Sequence, residues 1–408
     1  MPPFFGPTGS NGSNGSNGSN GSNGSNGSNA GPADRVAIDT YPSGALLTNR
    51  DGIVGAWQTP EGQPPSDLGT DQIADLDRWS PRIRAEVFAQ AMLQPLDFAM
   101  SDGAGWGTLW HHPPLQAIAL DSEHPPGDAV DAPEPTADAG ATLLLAMRRP
   151  TAAQMRAQLV WVEYWADLRD ERAAEILAQV DDILSFFGSI VGLRFTQTRW
   201  TLELLDAVLR TAVAIEMRFK NALACRRPVE FSPQIQPMIP TPQHSSFPSG
   251  HACESHVVAH VLSELAAERA ARAGGPDPET TRQQLRRQAY RITVNRTVAG
   301  VHFPSDNGAG ALLGATLGQY LVARMTACAD EPRHVARVSF DGKAFAPENA
   351  TPKDYLASDG WRFVDGANDV NGAFAPIGGK DKPAALEVTG TGDDILRDLW
   401  TRASGEWS

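Results

Sequence analysis

The sequence predicts an all-α fold, a helical bundle with irregular N- and C-terminal extensions. Three observations carry that reading. Between Thr198 and Ala224 the apolar residues Leu202, Leu205, Leu209, Ala212 and Ile215 recur along one side, at the 3.6-residue period of a packed helix. Thr151 is a natural cap for a helix running through Trp161, Val162 and Trp165. Gly274, Gly275, Pro276 and Pro278 then break the chain between two further helical stretches.

Taken in order, residues 9–29 repeat Gly-Ser-Asn and hold no side chain that can build a core, so 1–35 reads as a disordered tether. Each Asn-Gly-Ser there also fits a glycosylation acceptor, a by-product of the repeat. Residues 36–150 form an N-terminal extension rich in Pro, Gly and Asp, with short helices expected at 71–78 and 81–93 and an acidic, Pro-rich loop at 121–139. His111 and His112 are adjacent, which does not suit two ligands on one helix face. The catalytic core is placed at 151–330. Its helices are expected from Thr151, at 172–191, 198–224, 251–270, 280–297 and 305–326. Residues 331–408 read as an irregular tail with short strands, wrapped on the bundle.

Composition narrows the partners. The 408-residue chain carries a net charge of −14, which argues against nucleic acid or an anionic membrane, since phosphate-rich surfaces want clustered Lys and Arg. Cys225, Cys253 and Cys328 are odd in number and lack metal-ligand spacing, so no disulfide framework is implied. The apolar stretch Ile183 to Leu193 is too short to span a bilayer, and no secretory signal is visible. A cytoplasmic protein with small-molecule substrates and no membrane span is expected, with its oligomeric state left open.

Three segments carry chemistry. The first runs from Lys220 to Arg227-Pro228, the second is Pro248-Ser249-Gly250-His251, and the third runs from Asn295-Arg296 through His302 to Asp306. Lys220 and Arg227 lie seven residues apart, about two helical turns, and can share a face. Buried cations need an anion to neutralise them. Ser249 suits an N-cap, Gly250 permits close backbone approach, and free N–H groups at a helix start favour an anion. Arg296 adds a planar fork of donors. Asp306, four residues after His302, can hold that ring in one tautomer, as a nucleophilic or metal-bound His requires.

Together the segments resemble the signature of the superfamily that joins type 2 phosphatidic acid phosphatases, bacterial non-specific acid phosphatases and vanadium-dependent haloperoxidases, in a soluble bacterial-type form. The resemblance covers roughly residues 198–326. It implies that Lys220, Arg227 and Arg296 grip the oxygens of a tetrahedral oxyanion with Ser249 and the Gly250 amide, and that His251 is the acid/base. His302 would be the nucleophile of a phosphatase or the axial vanadium ligand of a haloperoxidase. Asn295 departs from the pattern, where Ser is usual. His244 stands where algal bromoperoxidases carry a His beside the halide site. Met217 stands where the haloperoxidases place Trp, and an oxidisable thioether is a poor neighbour for hypohalite. The first reading is a vanadate-dependent haloperoxidase-like enzyme oxidising halide with hydrogen peroxide. The alternative is a soluble phosphomonoesterase acting through phospho-His302, without a cofactor. The third is a non-catalytic phosphate-binding protein, for which a His251–His302–Asp306 set would be superfluous.

Overall fold

The computed structural model describes residues 49–50, 52–56, 76–77, 79–100, 105–112, 140–273, 277–328, 330–345, 374–377, 385–389 and 394–407. The Gly-Ser-Asn repeat and the loop at 121–139 lie outside the described residues, as does most of the helix expected at 71–78. In chain order the elements are α1 (Pro81–Leu93), β1 (Leu96–Met100), β2 (Trp106–His111), β3 (Thr142–Arg148), α2 (Ala152–Ala157), α3 (Leu159–Ala166), α4 (Arg169–Asp181) and α5 (Leu184–Val191). There follow α6 (Arg199–Leu223), α7 (Pro228–Phe231), a 3-10 turn (Pro233–Ile235), α8 (Gly250–Ala273), α9 (Pro278–Val298) and α10 (Pro304–Thr326). The C-terminal part adds β4 (Arg333–Ala336), β5 (Val338–Asp341), β6 (Phe374–Pro376), β7 (Ala385–Val388) and α11 (Asp394–Gly405).

The molecule is mostly helical, with some strands. Its four long helices are α6, α8, α9 and α10, and local chemistry sets their ends. Pro278 and Pro304 occupy first-turn positions, where a missing N–H costs nothing. The Asp277 carboxylate accepts from Glu279 N at 3.2 Å and Thr280 N at 3.0 Å, capping α9. Thr151 and Gln154 form a reciprocal capping box at the start of α2. The helix expected from Thr151 breaks at Gln158, whose side-chain Oε1 accepts from Ser305 N at 2.9 Å. The helix expected over 172–191 is two, because Asp182 turns extended and its Oδ1 accepts from Ser185 N at 3.1 Å, restarting the chain as α5.

Small residues let α8 and α10 approach closely. Gly310, Gly314 and Gly318 fall every four residues along α10. A Cβ at the first two would collide with the Ser249 and Cys253 carbonyls, and one at Gly318 would lie 2.6 Å from His260 Cβ. The stripe brings the start of α8 against the start of α10, where Ser249 N donates to the Asp306 carbonyl at 2.9 Å.

The extensions contribute a five-stranded sheet of order β1-β2-β3-β5-β6, in which β3 and β5 pair in parallel and the other neighbours antiparallel. A second sheet pairs β4 with β7. Residues of both extensions enter the same buried core as the long helices, among them Phe88, Leu109, Leu145, Phe340 and Leu399. His111 is buried there, its Nδ1 2.9 Å from the Tyr320 hydroxyl, while His112 is half-buried. Two ring contacts tie the first sheet to the helical core. Phe98 packs edge-on against Phe219 at 4.9 Å between centroids, and Phe340 lies 5.8 Å from Phe247. Phe219 is next to Lys220, and Phe247 precedes Pro-Ser-Gly-His. Among the described residues no helix is long and apolar enough to cross a membrane.

Candidate active site

Three buried cations come from three different places. Lys220, near the C-terminal end of α6, is 1 % exposed, and its ammonium donates to the Pro248 and Ser245 carbonyls. Arg227, at the cap of α7, donates from Nε to the His244 carbonyl at 3.1 Å. Its Nη1 donates to the Val301 carbonyl and to His302 Nε2, both at 2.9 Å. Arg296, in the last turn of α9, donates from Nη2 to Gln179 Oε1 at 3.1 Å and to the Ile176 carbonyl at 3.4 Å. Its Nε and Nη1 are buried without a partner among the described residues. Burial pushes Lys220 down to about 8, opposed by the neighbouring Glu216 carboxylate, and pushes Arg227 and Arg296 down to about 10.

The start of α8 faces these cations. Ser249 is fully buried, and its Oγ has no hydrogen-bond partner among the described residues. Gly250 is required by a close approach, since a Cβ there would stand 2.8 Å from Glu216 Oε1. His251 Nε2 lies 2.8 Å from the Gln179 carbonyl, so this nitrogen carries the proton and Nδ1 is the titrating one.

The His302 ring is fixed by both its nitrogens. An arginine can only donate, so Nε2 accepts from Arg227 and keeps its lone pair, and Nδ1 carries the proton. Nδ1 faces Asp306 Oδ2 at 3.2 Å. That oxygen also accepts from Phe303 N at 2.9 Å and from Ser246 Oγ at 2.5 Å. Burial and the Arg227 and Lys220 charges hold His302 well below the ordinary imidazole range, so it is neutral. Burial and Arg296 do the same to His251. Burial raises Asp306 to about 6, against the hydrogen bonds from Ser246 and Phe303.

The structure thus brings together Lys220, Arg227, Ser249, Gly250, His251, Arg296, His302 and Asp306. His244 joins them at one side, with its Nδ1 3.2 Å from Arg227 Nη2, and burial beside Lys220 and Arg227 lowers it to about 3. Met217 is only half-buried, whereas Glu216, one residue earlier, is fully buried against Gly250. Asn295 turns to the protein: Nδ2 donates to Gln179 Oε1 at 3.0 Å, and Oδ1 accepts from Arg172 Nη1 at 3.0 Å. Sequence reasoning missed Glu216, Ser246 and Gln179. Glu216 lies one turn before Lys220, and that i, i+4 spacing was a usable signal. Nothing local marks the other two. Among the described residues no group of three or more His, Cys, Asp or Glu suits a bare metal ion. The unpartnered donors instead suit an oxyanion.

Buried cations, a helix start and a carboxylate-oriented neutral histidine come together within a helical bundle, a donor set that suits an oxyanion. Residues 200–328 match the family model of the PAP2 superfamily, and this segment is a PAP2 superfamily region. Among solved structures, the chain is similar to a transmembrane PAP2-type phosphatidylglycerolphosphate phosphatase from Bacillus subtilis. The identity is 21 % over 42 % of this chain and 81 % of that one, with a TM-score of 0.29, and the family assignment rests on the sequence match rather than on that superposition. No curated protein matches the chain.

Proposed function

We propose that the chain is a phosphoester hydrolase, a phosphomonoesterase working through a phosphohistidine at His302. The observation that carries this reading is the state of the His302 ring. Asp306 accepts a hydrogen bond from the Nδ1 proton, which leaves the Nε2 lone pair beside Arg227 and within the cationic cluster. Membership of the PAP2 superfamily supports the same reading. The step is balanced as follows. The Nε2 lone pair forms the N–P bond as the ester P–O bond breaks, and protonated His251 gives its proton to the leaving alkoxide. Water then attacks phosphorus, the N–P bond breaks, and His251 takes the water's proton. His251 is neutral among its cationic neighbours, and a phosphate dianion offsets those charges and favours the protonated form. Arg296, Ser249 and Lys220 stabilise the charge that develops on the phosphoryl oxygens.

A second reading, the vanadate-dependent haloperoxidase expected first from the motifs, is favoured by the place of His244 on Arg227. The same donor set fits vanadate: Lys220, Arg227, Arg296, Ser249 and Gly250 around the oxygens, with His302 Nε2 as the protein ligand. The group would supply peroxide activation for halide oxidation. Half-buried Met217 weighs against it. The test is to purify the protein without phosphate and assay release of phosphate from a chromogenic monoester beside vanadate-dependent, peroxide-dependent bromination. Hydrolysis that vanadate inhibits supports the phosphatase, whereas bromination without hydrolysis reverses the order.

A further inference from the structure

We propose that Gln179, on α4 and outside the segment matched by the family model, is a direct ligand of the bound oxyanion, donating through its side-chain Nε2. This rests on the oxyanion-pocket reading above and adds a neutral donor from an unexpected helix.

Gln179 is fully buried. Its Oε1 accepts from two donors, Arg296 Nη2 at 3.1 Å and Asn295 Nδ2 at 3.0 Å. Those two contacts settle the amide's orientation, because a flipped amide would set its NH2 against two donors. Nε2 is therefore held in one place. It is bonded to the same carbon as Oε1, so it lies alongside the Arg296 fork, yet it has no partner among the described residues. An amide donor left unpaired in a protein interior is costly, and native interiors rarely keep one without a use. The unpartnered donors include Gln179 Nε2, Arg296 Nε, Arg296 Nη1 and Ser249 Oγ, and hydrogen bonds tie Gln179 to Arg296 through its side chain and to His251, two residues after Ser249, through its carbonyl.

The backbone of the same residue points the same way. The Gln179 carbonyl accepts from His251 Nε2 at 2.8 Å, so one residue touches both the anion-gripping arginine and the acid/base histidine. The departure at position 295 fits this arrangement. Asn295 spans Gln179 and Arg172, fixing the Gln179 amide from behind.

The experiment uses the full chain and two probes, inorganic phosphate and orthovanadate. Binding is measured by calorimetry for wild type, Gln179→Met and Gln179→Glu, with thermal unfolding to confirm the fold. The Gln179→Met change removes one hydrogen bond to a charged ligand and should weaken both anions about 10–100-fold. The Gln179→Glu change keeps the acceptor for Arg296 and Asn295, removes the donor and adds a negative charge, and should weaken them further. A residue that merely positioned Arg296 would tolerate Gln179→Glu, so wild-type affinity in that variant overturns the proposal. A readout independent of the variants' folding is the side-chain amide resonance pair of Gln179 in wild type, from glutamine-selective 15N labelling. It should shift on saturation with phosphate, and no shift while phosphate binds overturns the proposal. A wild-type protein that binds neither anion overturns the pocket reading itself. Binding with Gln179→Met unchanged overturns only the role of Gln179.

Discussion

Arg84 and Arg296 are both buried, 8 % and 1 % exposed, and they are treated in opposite ways. Arg84 meets Glu203 of α6 through two parallel bonds, Nε and Nη2 each at 2.7 Å, and spends Nη1 on the Trp79 carbonyl at 3.0 Å. Its guanidinium also lies 4.8 Å from the centroid of the Trp200 ring. Arg296, at the pocket, leaves two of its three nitrogens unpartnered among the described residues. The same contrast runs along α6. Its first turns carry hydrogen-bonded pairs, Arg84–Glu203 and Arg210–Asp206, while Lys220 near its far end donates to carbonyl oxygens beside the Glu216 carboxylate. A buried charge whose partners are complete belongs to the architecture. On the proposed reading, Arg296 keeps its unpartnered nitrogens for the oxyanion.

The largest effect should come from His302. His302→Ala should reduce turnover to background in both assays, since no neighbour can replace the attachment atom, while the protein stays folded. His251→Ala removes only proton transfer, typically worth about 10²–10⁴-fold, and should leave residual turnover and much of the anion affinity. Asp306→Asn should fall between them. Near-wild-type turnover in His302→Ala would break the covalent assignment.

The paired arginines give the sharpest comparison. Arg84→Ala strands the Glu203 carboxylate and should cost about 3–5 kcal/mol of stability, with phosphate affinity unchanged in the folded protein. Arg296→Ala should cost less stability and weaken phosphate and vanadate together by at least about 10–100-fold. Denaturant unfolding and calorimetry on both variants decide it. Equal stability losses would erase the distinction.

The pH dependence should be smaller and two-sided. Turnover needs the Asp306 carboxylate, so kcat/KM should fall as pH drops through about 6. Anion binding needs the Lys220 ammonium, so affinity for sulfate, which does not titrate here, should fall as pH rises through about 8. Asp306→Asn should abolish the acid limb specific to this group. In stability terms the sign differs. A folded value of about 6 above the ordinary 3.8 means that Asp306 destabilises the fold above that range and ceases to do so as pH falls through it towards 3.8. The smallest effect belongs to residues 1–30, whose repeat has no apolar side chains to bury. Deleting them should leave the melting temperature and turnover unchanged.

Much of this site was legible because its residues sit at fixed spacings within three short segments. His302 and Asp306 share one hydrogen bond across a loop-to-helix start, and Pro304 announces that start. The long helices were legible from period and punctuation. The strands were not. β2 alternates in burial, but Trp106-Gly-Thr-Leu-Trp-His is too short and mixed for alternation to stand out, and its partner β3 lies more than 30 residues on. α11 hid in a Gly- and Asp-rich tail, although Leu396, Leu399, Trp400 and Ala403 bury one face. Gln179 was illegible for another reason. Its contact with Arg296 comes from α4 crossing the end of α9, and no local pattern in Ala-Gln-Val encodes a crossing.

The parallel pairing of β3 with β5 bears on folding order. Arg148 and Asp341 close this pair with two hydrogen bonds across 193 residues, and Phe340 beside them packs against Phe247, two residues before Ser249. Contacts that far apart in sequence form slowly, because the intervening chain must be gathered first. The entropic cost grows only about as (3/2)RT ln n, so the burden falls on rate more than on final stability. The long helices, held by nearer neighbours, should therefore assemble before the strand that packs against Phe247. On refolding from denaturant, helicity should return first and phosphate affinity last.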